Sequence, residues 1–281
     1  MGFARSLADF FLFTSLFIAC CAVAMTLHAA QFYGIPADSR LLLFVLCGTL
    51  SSYNFHWMLT PALYGESRKA AWSYGHRKLH AALFGVSAAG AAWWGLQLIA
   101  HWRWLLLTAF ITFLYSAPKI PGPLFRHLKR VAVGKTAFLA LAWTHIPYIL
   151  PLLLSGREWR MMDYLLVFNR FYLIYAICIL FDYRDRESDR AEGIRSLVTA
   201  LPEAGIRRLF TGALAVFFAS GGLLPFLGVP MTETAWLLLP GILLAFAYRR
   251  SLRGRSDYFY YFALDGLMAL SAIGSLITAF T

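Results

Sequence analysis

Charge is scarce in this chain. Only 14% of its residues are Asp, Glu, Lys or Arg, against about 25% in an average soluble domain. With 60% hydrophobic residues and a mean hydropathy of +0.63, that shortage excludes a water-soluble globule and points to a polytopic membrane protein. Cysteine is sparse too. Cys20, Cys21, Cys47 and Cys178 all lie inside apolar runs, which argues against a disulfide framework and says little about redox compartment. Zinc-ligand spacing and nucleic-acid motifs are both missing. A net charge of +11 would raise nucleic acid as a partner for a soluble protein. Here the basic residues sit in loops between apolar runs, where they set orientation and meet anionic lipid headgroups.

What the chain has is long apolar runs. Stretches of about 17–25 such residues cross a bilayer as helices. Nine are expected, near 9–30, 41–60, 80–100, 103–118, 131–154, 163–182, 205–228, 232–249 and 258–280. They make an all-α integral membrane protein with one domain, residues 1–281. The first run follows Arg5 and has no convincing small-residue cleavage site, so it reads as a retained span rather than a signal peptide. Arg68, Lys69, Arg77 and Lys78 follow the second span. Lys119, Arg126, Lys129 and Arg130 follow the fourth, Arg207 and Arg208 precede the seventh, and Arg249, Arg250, Arg253 and Arg255 follow the eighth. The alternate loops hold only Arg40, Arg103, Arg157 and Arg160. The positive-inside rule then places the N-terminus and all four basic loops in the cytoplasm and the C-terminus outside, in an inner or plasma membrane.

The sixth span ends in FDYRDRESDRAEGIRS, residues 181–196. On a helix Asp182, Asp185 and Asp189 share one face, since they differ by three and four positions. Three like charges on one face suit a divalent cation such as Mg²⁺, which takes hard oxygen ligands and leaves room for water and phosphate. A solvated helix end whose arginines neutralise the acids fits the same spacing. The second span ends at a polar cluster, Asn54–His56, and the fourth at Tyr115–Lys119. Three polar helix ends on one side suggest a shared cavity open to the cytoplasm.

Asp182, Asp185 and Asp189, followed by Gly193-Ile194 and then Ser196-Leu197 and Leu201-Pro202, resemble the second aspartate-rich motif of the UbiA family of intramembrane prenyltransferases. Tyr115-Ser116-Ala117-Pro118-Lys119 is similar to that family's YxxxK motif, and Leu128-Lys129-Arg130 to the basic stretch after it. The resemblance implies a bundle with a central cavity open to the cytoplasmic side and Mg²⁺ on Asp182, Asp185 and Asp189. It implies an isoprenoid diphosphate as donor and a lipid-soluble acceptor, aromatic or otherwise, as partners. Lys119, with Tyr115, would contact the diphosphate, with Asn54 beside them in the catalytic set and Arg68, Lys69, Arg126 and Lys129 binding substrate. The family's first motif, NDxxDxxxD, keeps only Asn54 here; Phe55, Met58 and Ala62 stand at its aspartate positions. Basic residues among Arg68, Lys69, Arg77 and Lys78 would then supply the charge that stabilises a departing diphosphate.

Other residues leave alternatives open. His56 reads as a base, a phosphate donor or a structural residue. Lys135, Arg170 and Asp265 fall inside spans, where ionisable groups face a cavity or a partner; an ion pair among them and a catalytic role are equally compatible. Aromatic residues, 17% of the chain, either stabilise an allylic cation or pack helices and line the interfaces. Two functions follow: prenyl transfer, or a UbiA-fold protein that binds or carries a lipid phosphate, or serves as a membrane partner subunit, without turnover. An unrelated transporter would show broken helices in matching halves, and none stands out.

Overall fold

The computed structural model describes residues 2–60, 67–116, 134–191, 193, 196–253 and 256–279, and no strand occurs among them. The main helices are α1 (Gly2–Phe13), α2 (Leu16–Tyr33), α3 (Ser39–Leu59), α4 (Arg68–Gly75), α5 (Arg77–Gln97) and α6 (Trp102–Ser116). After these come α7 (Lys135–Ser155), α8 (Met161–Arg184), α9 (Arg186–Ala191), α10 (Leu197–Ala200), α11 (Glu203–Gly222), α12 (Met231–Ser251) and α13 (Asp265–Ala279).

Among the described residues seven helices are long and apolar enough to cross a membrane: α2, α3, α5, α7, α8, α12, and α11 with its extension to Leu227. The sequence predicts nine. The fourth expected span is the shorter apolar stretch Ile99–Tyr115, and residues 117–133 beyond it lie outside the described chain. The ninth begins as a π-turn, Phe259–Leu264, and continues as α13. The first expected span is divided. Ser15, with φ of 67°, turns the chain between α1 and α2. That left-handed conformation is costly for a non-glycine residue.

The outside of the bundle is apolar. Val86 and Phe246 are about three-quarters exposed, and Trp93, Leu106 and Phe110 are more than half exposed. Lipid-facing helices present such side chains, because hydrocarbon is as apolar as they are. Inside, α8 is the axis. From Leu173 to Leu180 it buries every side chain, and it packs on α7 and α11. Small residues allow the closest crossings. A Cβ on Gly241 of α12 would sit 2.1 Å from the Phe217 ring, and one on Gly274 of α13 would sit 2.1 Å from the Trp236 ring.

The buried Arg170 makes no ion pair with Lys135 or Asp265. Its guanidinium donates to Asn169 Oδ1, Ser271 Oγ and the Leu237 carbonyl, neutral acceptors that tie α8 to α12 and α13. Lys135 has carboxylate partners of its own.

Candidate functional site

The acidic segment does not continue α8. The helix ends at Arg184, Asp185 caps it with φ of −87° and ψ of 2°, and α9 starts afresh at Arg186. The three aspartates therefore do not share one helix face. Asp182 and Asp189 are buried and converge on one cation, the Lys135 ammonium at the start of α7, at 3.5 and 3.2 Å. The Thr136 hydroxyl donates to the second Asp182 oxygen. Burial pushes the Asp189 carboxyl above the usual carboxylate range, and Lys135 works against that shift. Asp185 is turned aside. Both its oxygens accept from Arg184, at 2.7 and 3.1 Å.

The segment behind the acids folds back to brace them. Gly193, with φ of 71°, turns the chain after α9 in a conformation glycine adopts without a Cβ penalty. Ser196 and Thr199 close a capping box on α10. Arg186 then donates to the Leu201 carbonyl, and Arg190 to that of Thr199.

A run of rings joins the acidic segment at Arg184, which bonds both Asp185 and Tyr261. Trp143 donates to the Tyr53 hydroxyl at 3.1 Å. Tyr53 and Tyr115 have ring centroids 6.1 Å apart, and His56 stacks on Tyr115 at 4.9 Å. Trp57 meets His56 on one side and Tyr261 on the other. At the Trp143 end a narrow apolar cleft with a cavity volume of about 40 Å³ is lined by Thr49, Tyr53, Thr112, Tyr115, Trp143 and Ile146. At the Tyr261 end two cations meet the rings. The Lys69 ammonium lies 3.9 Å from the Tyr261 centroid and 4.8 Å from that of Trp57. Arg184 lies 5.1 Å from the Tyr261 centroid and donates to its hydroxyl at 3.2 Å.

A profile of the UbiA prenyltransferase family matches residues 69–258. The chain belongs to this family. No curated protein and no solved structure matches it. Enzymes of the UbiA family generally use Mg²⁺, so the donor set needs testing against that ion. Asp182 and Asp189 already converge on a cation, with a hydroxyl beside them, and hard oxygen donors of this kind suit one Mg²⁺. At the end of α3, where the UbiA family's first motif falls, Phe55 and Met58 offer no oxygen, and Ala62 lies outside the described residues. Among the described residues no group of three His, Cys, Asp or Glu side chains is placed to hold a metal. Among the described residues Asp182, Asp189 and Thr136 offer oxygen donors that suit one metal at the second motif, and Phe55 and Met58 offer none at the first.

The other expected site residues fall out as follows. Asn54 is fully buried with its amide engaged: Nδ2 donates to the Thr14 and Leu50 carbonyls, and Oδ1 meets His80 Nδ1 at 2.7 Å. It fastens the end of α3 to the α1–α2 turn and to α5. Arg68 pairs with Asp9, which also accepts from Tyr258. Tyr115 is in the ring run. Lys119, Arg126 and Lys129 lie outside the described residues. Sequence reasoning missed Lys135 as the partner of the acids and Arg184 and Tyr261 as neighbours of Lys69. The signal available was an ionisable residue inside an apolar run, which names Lys135 without naming its partner.

Proposed function

We propose that the protein transfers a prenyl group from an isoprenoid diphosphate to a lipid-soluble acceptor within the membrane. The observation that carries this reading is the convergence of Asp182 and Asp189 on a single cation position beside a run of aromatic rings. The diphosphate sits at the acidic end and the apolar tail or acceptor extends along the rings into the cleft at Tyr53, Tyr115 and Trp143. Asp182 and Asp189 would hold Mg²⁺, with Asp185 joining them once it leaves Arg184. Bound there, Mg²⁺ supplies positive charge against the diphosphate oxygens. By the family's YxxxK motif and the basic stretch after it, Lys119, with Arg126 and Lys129, would add cations for the diphosphate. The allylic C–O bond breaks with its electron pair going to diphosphate. The freed carbon bonds to the acceptor, whose displaced proton goes to pyrophosphate or water. The faces of Tyr115, Tyr53 and His56 favour positive charge on that carbon. In this reading the acidic segment and the N-terminus face the cytoplasm, as the basic loops suggest.

A second reading has one specific observation in its favour. Phe55 and Met58 leave the first-motif side without carboxylates, as expected of a protein that binds a lipid diphosphate without ionising it. Binding of a prenyl diphosphate to purified protein with and without Mg²⁺ tests both readings. Asp182→Asn and Asp189→Asn should remove the Mg²⁺-dependent part of binding. Unchanged binding in both variants would make the acids a structural ion cluster and overturn the metal assignment.

A further inference from the structure

Of the basic residues that follow α3, one is set apart by its surroundings. Arg68 is exposed and spent on Asp9. Arg77 donates to the Thr60 carbonyl at 2.7 Å and lies over Tyr74. Lys78 is exposed. Lys69 is 2% exposed, and its ammonium meets only ring faces. Asp257, the acid beside it, accepts instead from the Lys69 backbone N–H at 2.7 Å and from the Ser67 hydroxyl. It thereby fixes the start of α4 and the direction from which the Lys69 side chain enters. Among the described residues no acceptor lies within hydrogen-bond or ion-pair distance of the Lys69 ammonium. Asp265 and Asp257 offset its charge only from a distance, so ring faces and remote carboxylates replace its lost hydration in part.

A second cation beside it has one donor to spare. Arg184 Nη1 is buried without a hydrogen-bond partner among the described residues, and its nearest carboxylate oxygen is on Asp257 at 4.0 Å. Lys69 and Arg184 both lie against the Tyr261 ring. Arg184 also bonds Asp185, so this pair of cations borders the acidic segment directly. Through Lys69 it meets Trp57 at the end of α3, the helix end at which the neighbouring Phe55 and Met58 stand in place of carboxylates.

We propose that Lys69 and Arg184 form a metal-free phosphate subsite, so that a prenyl diphosphate is held by one Mg²⁺ and two protein cations. This rests on the prenyl-diphosphate reading and specifies how that ligand is held. Charge balance favours the arrangement. Asp257 and Asp265 both border these cations, but Asp257 is engaged by the Lys69 backbone N–H and the Ser67 hydroxyl, so the groups presented at Tyr261 are donors, which suit a phosphate. The aromatic seat keeps the ammonium desolvated and in place, so little ordering is left for the ligand to impose.

The test is equilibrium binding of geranyl S-thiolodiphosphate, which resists ionisation, to the full-length chain in detergent with Mg²⁺. Geranyl monophosphate is the comparison ligand. Lys69→Met should weaken thiolodiphosphate binding tenfold or more, leave monophosphate binding within about threefold, and keep the melting temperature at or above that of the wild type. Lys69→Arg should retain most of the affinity. A Lys69→Met protein that folds and binds both ligands as the wild type does overturns the subsite while leaving the prenyl-diphosphate reading intact. A wild type that binds neither ligand overturns the functional reading itself. Metal stoichiometry is independent of any variant: one Mg²⁺ per bound thiolodiphosphate supports the subsite, and two overturns it.

Discussion

Replacing Lys135 with methionine removes the one cation on which Asp182 and Asp189 converge. The two carboxylates are 8% and 11% exposed, whereas the Lys135 side chain is 40% exposed. Removing one partner of a fully buried pair costs about 3–5 kcal/mol. Solvent around the lysine screens part of that interaction, so the expected loss is about 1–3 kcal/mol. At about 2–4 °C per kcal/mol, the melting temperature in detergent falls by roughly 2–12 °C. The variant also loses the cation that competes with a metal. Mg²⁺ at a hundred times its dissociation constant adds about 2.7 kcal/mol, so saturating Mg²⁺ should return the variant close to the wild-type melting temperature. The wild type should gain less, because its metal must displace Lys135. The assay is thermal unfolding of both proteins across a Mg²⁺ titration, with Ca²⁺ as a size control. Equal melting temperatures without metal, or equal shifts with it, would refute the shared-cation account of this site.

Three further outcomes are expected. Asn54→Ala leaves the Thr14 carbonyl and His80 Nδ1 without their partner in a buried setting, so it should cost about 2–3 kcal/mol. Calorimetry should show this loss while the folded protein keeps its Mg²⁺ response. Gly241→Ala drives a methyl into the Phe217 ring and should lower the melting temperature, with Gly241→Leu failing to give folded protein in a detergent-solubility screen. Burial pulls the Lys69 ammonium below the usual lysine range, to about 7, with Asp265 opposing and Arg184 reinforcing the shift. The charged form binds phosphate, so thiolodiphosphate affinity should fall as pH rises above about 7. Asp257, His80 and Tyr261 also border this ammonium, so the control is Lys69→Arg, which stays charged. Its affinity should change less over the same range; identical pH slopes would count against Lys69 as the phosphate donor.

Much of this architecture is legible in the chain itself. Apolar runs announce helices because a membrane segment must satisfy its backbone internally, and the Asp182–Pro202 stretch announces the family. Limits appear where a short sequence window meets a long-range contact. Asp182, Asp185 and Asp189 have helical spacing, and spacing cannot reveal that α8 stops at Arg184 and turns Asp185 away. Lys135 is distant in sequence from the acids, so its charge could be noticed but not paired. Arg68 and Lys69 are adjacent and alike on paper; successive helical positions point about 100° apart, and one reaches Asp9 while the other is buried against rings. Asn54 looked like the remnant of a metal motif, and its amide is engaged in tying three helices together. The fourth and ninth spans were harder to read because apolarity alone does not fix helix length: α6 has 15 described residues and α13 follows a π-turn.

Pyrophosphate release is the measurement that bears most directly on the central claim. Purified full-length protein in lipid vesicles, given allylic diphosphates of several chain lengths and a panel of lipid-soluble aromatic acceptors, should release pyrophosphate in a Mg²⁺-dependent manner with matching prenylated product. Asp182→Asn should abolish both signals while remaining folded. Tight binding of the same diphosphates with no pyrophosphate from any donor–acceptor pair would contradict transfer and leave a UbiA-family protein that binds its ligand without reacting it.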